Sequence, residues 1–232
     1  MTTEIQRIVF SEYMKLADLI DVDFRLLNVL SRMGISLGFG GETISEVSAR
    51  YGIDLKSFLL ICNVYAYEDY LPSADLLSGA DPLTIVDYLH NSHSFYLDRE
   101  FVSLENNLKA MVGPCDDMQK KIVAKFFEDY KTQVENHFAY EENVVFPYVK
   151  SLMTGKSCEG YSIEQFEENH TNIDETLSDL KKIVMKYLPE TCDTMMRNEV
   201  LYRIYRLEED LLKHTIVEDH VLIPIVNKLE AK

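Results

Sequence analysis

The chain has no tryptophan and few helix-breaking residues, with nine glycines and six prolines among 232 residues. Basic residues are also scarce: 23 Lys and Arg stand against 39 Asp and Glu, which gives a net charge of −16 at pH 7. This acidity argues against nucleic acid or an anionic membrane surface as a partner. No apolar run approaches the ~20 residues of a membrane span, and the N-terminal residues lack the basic and apolar regions of a signal peptide. We therefore expect a cytoplasmic protein without a membrane partner.

Thiol chemistry is also poorly represented. The four cysteines lie far apart in the sequence, and none forms a C-x-x-C pair. Closely spaced cysteines are typical of disulfide-stapled domains and of thiolate metal sites. The spacing therefore predicts neither a disulfide framework nor a thiolate site, and we expect these residues to be inert: Cys62, Cys115, Cys158 and Cys192.

The pattern of apolar residues predicts an all-α protein with two domains. Residues 1–79 form a small helical N-terminal domain, with apolar residues at helical spacings over 12–33 and a Gly-rich segment after it. Residues 80–232 contain four long amphipathic stretches separated by short loops. Such a pattern predicts an up-down-up-down four-helix bundle. The first bundle helix begins at Asp81-Pro82, a typical start signal.

Residues 43–51 and 54–67 predict two short helices joined at Gly52, a pattern that resembles a helix-turn-helix. The second of these helices would be the one that reads DNA. It has one lysine and is mostly apolar, whereas a helix in the major groove needs polar and basic side chains. We therefore favour packing within the chain or homodimerisation over binding of nucleic acid, and a transcriptional regulator is the weakest of the function classes considered.

The bundle sequence contains an internal repeat. Residues 137–147 read HFAYEENVVFP and residues 214–224 read HTIVEDHVLIP, so both contain His-x3-Glu followed by an acidic residue. A fixed offset suggests a duplicated helical hairpin. The offset of 77 residues joins three pairs of candidate ligands: His93 and His170, His137 and His214, Glu141 and Glu218.

This spacing points to a metal centre. Residues four apart lie on one face of a helix, so each His-x3-Glu presents an imidazole and a carboxylate to the bundle interior. Nitrogen and carboxylate ligands without thiolate suit Fe, Mn or Zn, and carboxylates of a bundle core that bridge two metals are the di-iron pattern. We expect no Lys or Arg at the inward positions near these carboxylates, so that metal ions supply the counter-charge.

Two alternatives remain open from the sequence. Both His-x3-Glu pairs could be surface ion pairs, although the common offset favours the metal site. His90 could replace His93 as a ligand, because apolar residues follow His93 at +4, +8 and +11 but follow His170 at +3, +7 and +10. The repeat offset favours His93.

With these motifs, residues 80–232 resemble a hemerythrin-like (HHE) domain. The motifs that carry the resemblance are NSHSFYL around His93, the two His-x3-Glu pairs and EENHTNID around His170. A ligand set of four His and two Glu is closer to the di-iron proteins of the RIC (YtfE/ScdA-like) iron–sulfur cluster repair family than to oxygen-carrying hemerythrins, which use a fifth histidine. The resemblance implies two non-haem, carboxylate-bridged Fe ions held by His93, His137, Glu141, His170, His214 and Glu218.

The N-terminal segment GISLGFGG, followed by TISEV, is similar to the small N-terminal domain of the same family. That domain usually has a Cys-Cys pair before Gly-Gly, whereas this chain has Gly38 and Phe39. The resemblance implies a small diatomic ligand, NO or O2, and damaged iron–sulfur proteins as partners, with a role in nitrosative or oxidative stress. The other function class is a sensor or regulator that reversibly binds O2 or NO.

Overall fold

The computed structural model describes residues 9–67, 69–155, 160–169 and 174–231. Their regular structure is helical apart from an isolated bridge between Lys15 and Thr43, so the predicted all-α class is confirmed. The chain forms two compact units, Met1–Asn91 with Thr215–Lys232 and Ser92–His214. Within the described ranges, no helix has both the length and the apolar character required to cross a bilayer.

The first unit begins with short helices. Its apolar stretch over 12–33 forms two helices because Asp23 interrupts it: the Asp23 carboxylate accepts the Arg25 backbone N–H at 2.9 Å and pairs with the Arg25 side chain at 2.6 Å. Such side-chain contacts with a nearby backbone group compete with the helical ladder. The helices up to the bundle are α1 (Leu16–Val22), α2 (Leu26–Arg32), α3 (Ile44–Tyr51), α4 (Leu55–Ala66), α5 (Ala74–Leu77) and α6 (Pro82–Phe95).

Helices α3 and α4 match the predicted helical pair. Gly52 ends α3 in the left-handed region, at φ 67°, and Asp54 caps α4 by accepting the Ser57 backbone N–H. Most of α4 is buried, including Phe58 and Ile61. The helix that would read DNA in a helix-turn-helix therefore packs in the core of this unit.

The second unit is built around four packed helical segments. Asp116 and Gln119 form a capping box at the start of α8, and Asp193 accepts the Met196 backbone N–H at the start of α12. Buried side chains of α7, α8, α11 and α12 form one hydrophobic cluster. The remaining helices of the chain are α7 (Phe101–Met111), α8 (Asp117–Tyr140), α9 (Phe146–Met153), α10 (Ile163–Asn169), α11 (Asp174–Lys182), α12 (Thr194–Val217) and α13 (Ile223–Glu230).

Four π-helical segments interrupt these helices, at Tyr96–Glu100, Glu141–Val145, Ile183–Tyr187 and Glu218–Leu222. The second and fourth of these segments are 77 residues apart. The same offset relates α8 to α12 and α9 to α13, at the first and at the last residue of each helix. A proline follows closely in each copy, at Pro147 and Pro224. Because proline lacks an N–H and its ring crowds the preceding turn, the hydrogen-bond ladder widens before it. The duplication seen in the sequence thus extends to the backbone.

The expectation that the cysteines form no disulfide is wrong for one pair. Cys115 and Cys192 are joined by a disulfide, with their Cα atoms 5.9 Å apart. Their sequence separation is 77 residues, the repeat offset, so each occupies the same position in its hairpin, just before the N-cap of the following helix. Cys62 is free and buried, and desolvation raises the pKa of its thiol far above the ordinary value. Cys158 lies outside the described residues.

Candidate metal centre

Two imidazoles contact the carboxylate of Glu141, and a third contacts one of those imidazoles. Glu141 is fully buried and follows His137 by four residues at the junction of α8 and its π segment. Its Oε1 lies 2.9 Å from His137 Nε2, and its Oε2 lies 2.9 Å from His93 Nε2. His93 Nε2 is also 3.2 Å from His214 Nε2. Each oxygen of this carboxylate thus contacts a different histidine.

Glu218 follows His214 by four residues in the same continuous helix, as Glu141 follows His137. Both Glu218 and His214 are buried, at 0% and 1% exposure. One ligand atom from each of four residues lies within 4.8 Å of the other three, in the cluster of His93, Glu141, His214 and Glu218. The two His-x3-Glu motifs therefore contribute to a single buried group of donors.

The structure brings His93, and not His90, into this cluster. His93 is 3% exposed, whereas His90 lies on the exposed side of α6. The π segment at Tyr96–Glu100 explains the phase difference seen in the sequence, because its i→i+5 bonding places one more residue in a turn. The apolar positions after His93 are shifted by one, and Phe101 and Leu104 are buried nevertheless.

One candidate ligand cannot be placed. His170 lies outside the described residues, so its contribution rests on the repeat alone. The other five candidates are arranged around the contacts given above: His93, His137, Glu141, His214 and Glu218.

Two residues near the cluster were missed by sequence reasoning. Glu142, the acidic residue after Glu141 in the repeat, places Oε1 2.7 Å from His93 Nδ1. Lys213 directly precedes His214 in the sequence and is 1% exposed, so a basic residue is buried on the same helix as two candidate ligands. The acidic position of the repeat was a usable signal for Glu142, whereas nothing in the local pattern distinguishes Lys213 from a surface lysine.

The donor set fits divalent transition metals. Neutral imidazole nitrogen and carboxylate oxygen are the ligands that iron, manganese and zinc accept, and no thiolate is among them. Two buried carboxylates would be costly without a counter-charge. Glu141 and Glu218 are both fully buried. A bound cation would supply such a counter-charge.

Comparison with known proteins agrees with this geometry. A family model described as the hemerythrin HHE cation binding domain matches residues 84–226, more than half of the chain. The chain belongs to the hemerythrin HHE family.

Among curated proteins, the hemerythrin-family chain is similar to the iron–sulfur cluster repair protein ScdA of Staphylococcus haemolyticus. The two are 24% identical over 207 residues, which cover 84% of this chain and 89% of the relative. The similarity therefore includes part of the N-terminal residues that precede the family match. No solved structure matches the chain.

Proposed function

We propose that the protein is a non-haem di-iron protein that acts in the repair of iron–sulfur centres or in the response to nitric oxide and oxidative stress. The observation that carries the proposal is the Glu141 carboxylate, whose two oxygens each contact a different imidazole. A carboxylate in that arrangement is suited to bridge two ions. Iron is favoured by the family and by the similarity to an iron–sulfur cluster repair protein.

The proposed ligands are the residues that the repeat relates. His93, His137 and Glu141 come from the first copy, His214 and Glu218 from the second, and His170 is added on the repeat offset. Four imidazoles and two bridging carboxylates supply about eight of the roughly twelve positions around two six-coordinate ions. Small exogenous ligands such as NO or O2 would take the other positions, and iron would supply its redox and ligand-binding chemistry there.

The chain's own residues limit what can reach such a centre. Glu141, Glu218 and His214 are enclosed, whereas His137 and Glu142 have side chains 11% and 31% exposed. Of these residues, His137 and Glu142 are therefore the ones that reach solvent. A diatomic molecule is small enough to enter between packed helices, while a larger substrate would have to displace core side chains.

Anaerobic titration of the iron-reconstituted, reduced protein with nitric oxide tests this function. We expect iron-nitrosyl absorption and paramagnetic resonance signals to grow to an end point at a stoichiometric ratio of NO to iron. Turnover of NO or release of iron to an acceptor would favour repair. If neither NO nor O2 changes the spectra, a storage or purely structural metal site becomes the better interpretation.

A sensor that reversibly binds O2 or NO is the second candidate, and the N-terminal unit favours it. The thiol pair expected from the repair family is replaced by Gly38 and Phe39. Gly38 has φ 100°, and Phe39 is 8% exposed, so Phe39 is used for packing. A stable adduct that is lost on removal of the gas would support sensing.

His93→Ala and His90→Ala test the assignment of the α6 ligand. We expect His93→Ala to lose at least one iron per chain, because an imidazole 2.9 Å from the Glu141 carboxylate is removed. His90→Ala is the matched control on the same helix and should retain iron at the wild-type level. Metal content after gel filtration against a chelator measures both. If only His90→Ala loses iron, then His90 is the ligand and the assignment to His93 is wrong.

A further inference from the structure

His93 forms a close contact with Glu142, a residue outside the proposed ligand set. Glu142 Oε1 lies 2.7 Å from His93 Nδ1, on the side of the ring opposite the metal cluster. We propose that Glu142 is a positioning residue, which holds His93 through a hydrogen bond at Nδ1 so that Nε2 faces Glu141 and His214. This inference rests on the proposed di-iron function.

The ring plane of His93 is fixed by aromatic packing. Its centroid lies 3.9 Å from that of Phe138 with an angle of 16° between the rings, and 5.4 Å from that of Phe146 with an angle of 11°. Stacking holds the plane but does not choose which nitrogen carries the proton. The hydrogen bond to Glu142 requires a proton on Nδ1, because an ionised carboxylate only accepts.

This hydrogen bond has a consequence on the other side of the ring. With Nδ1 bonded to Glu142, His93 places Nε2 2.9 Å from Glu141 Oε2 and 3.2 Å from His214 Nε2. A metal ion bound at this point would have His93 Nε2, Glu141 Oε2 and His214 Nε2 close enough to serve as ligands. Glu142 thus prepares the site for a metal ion. A carboxylate behind a ligating histidine also raises the basicity of the ligand.

The backbone explains how consecutive residues can serve His93. Neighbouring residues of an α-helix point about 100° apart, which separates adjacent side chains. Glu141 and Glu142 begin the π segment, in which the Phe146 N–H bonds to the Glu141 carbonyl and each turn contains more residues. The angle between adjacent side chains is smaller there. Glu141 can therefore contact Nε2 while Glu142 contacts Nδ1.

The acidic residue is part of the repeat. Asp219 stands 77 residues after Glu142 and, like it, directly follows the candidate bridging glutamate. It also lies in a π segment, Glu218–Leu222. Both copies of the motif therefore have an acidic residue directly after the candidate bridging glutamate, within a π segment.

Glu142→Gln and Glu142→Ala test the proposal, with Glu135→Gln as the matched control. Glu135 is an exposed carboxylate on α8 that pairs with Lys131 at 3.7 Å, so its replacement removes the same charge away from His93. In wild-type protein labelled with ¹⁵N-histidine and free of metal, we expect a proton on His93 Nδ1. Glu142→Ala should return the ring to the tautomer that imidazole prefers in water, with the proton on Nε2.

Iron affinity, measured by competition with a chelator, is the second readout. We expect a loss of about 10–100-fold in Glu142→Ala, a smaller loss in Glu142→Gln, which keeps an acceptor, and no change in Glu135→Gln. Unchanged affinity and an unchanged tautomer in Glu142→Ala would overturn the inference. If instead the wild-type protein binds no iron, the proposed function fails, and the tautomer measurement still decides whether Glu142 orients His93.

Discussion

Replacing both Glu141 and Glu218 with glutamine should abolish the binding of two iron ions per chain without destabilising the metal-free protein. Both side chains are fully buried, and each follows a histidine by four residues. Glutamine keeps the shape and an acceptor oxygen but cannot supply negative charge. In the metal-free state, burying a neutral amide costs less free energy than burying a carboxylate. The variant should therefore be at least as stable as the wild type.

Iron should then separate the two proteins. A ligand that binds only the folded state adds about 2.7 kcal/mol to the free energy of unfolding at a free concentration of one hundred times Kd. We expect the wild-type midpoint of denaturation to rise with ferrous iron and that of the variant to stay constant. Glu128→Gln with Glu135→Gln, two exposed carboxylates of α8, is the control and should behave as wild type. Equal iron content in the two double variants would refute the proposed ligand set.

The repeat shows why the overall fold could be predicted from the sequence. A shared string at a fixed offset reports two copies of one structural unit, and the structure reproduces the offset in the bounds of α8 and α12. Start signals such as Asp81-Pro82 and Asp116 act locally, through hydrogen bonds to nearby backbone N–H groups. Local signals of this kind can be read without knowledge of the tertiary structure.

The site was only partly predictable because side-chain direction depends on backbone irregularities. The π segment at Tyr96–Glu100 moved the apolar positions by one residue and made His90 a credible ligand. The π segment at Glu141 brings Glu142 to His93, although regular helical geometry would turn it away. Pro147 could have indicated the second irregularity, since proline disrupts the ladder of the preceding turn.

The disulfide was missed for a different reason. Cys115 and Cys192 lie in separate loops, and only the packing of one hairpin against the other brings them together. Spacing along the chain carries no information on such a contact. The signal that could have found it is the repeat itself, because both residues precede an aspartate N-cap at the common offset.

Loss of this disulfide should strongly destabilise the second unit. In the chain-entropy model, a cross-link between residues 77 apart lowers the entropy of the unfolded chain and so raises its free energy by about 4.5 kcal/mol. For a protein of this size, that corresponds to a fall in melting temperature of roughly 10–15 °C. We expect this fall in Cys115→Ser with Cys192→Ser relative to oxidised wild-type protein, measured by calorimetry without metal. Both cysteines are buried, at 5% and 1% exposure, so single serine substitutions would also leave a polar group in the core.

The reductant separates the cross-link from the effect of the substitutions. When dithiothreitol is added, the melting temperature of oxidised wild-type protein should fall most of the way to that of the double serine variant. The melting temperature of the variant should not change. Cys62→Ala, which removes a thiol that forms no disulfide, should keep the full response to reductant. A non-reduced peptide map without a fragment joining Cys115 to Cys192, or a wild-type melting temperature insensitive to dithiothreitol, would contradict the prediction. Because a reducing compartment keeps thiols reduced, the protein would gain this stability only in oxidising surroundings.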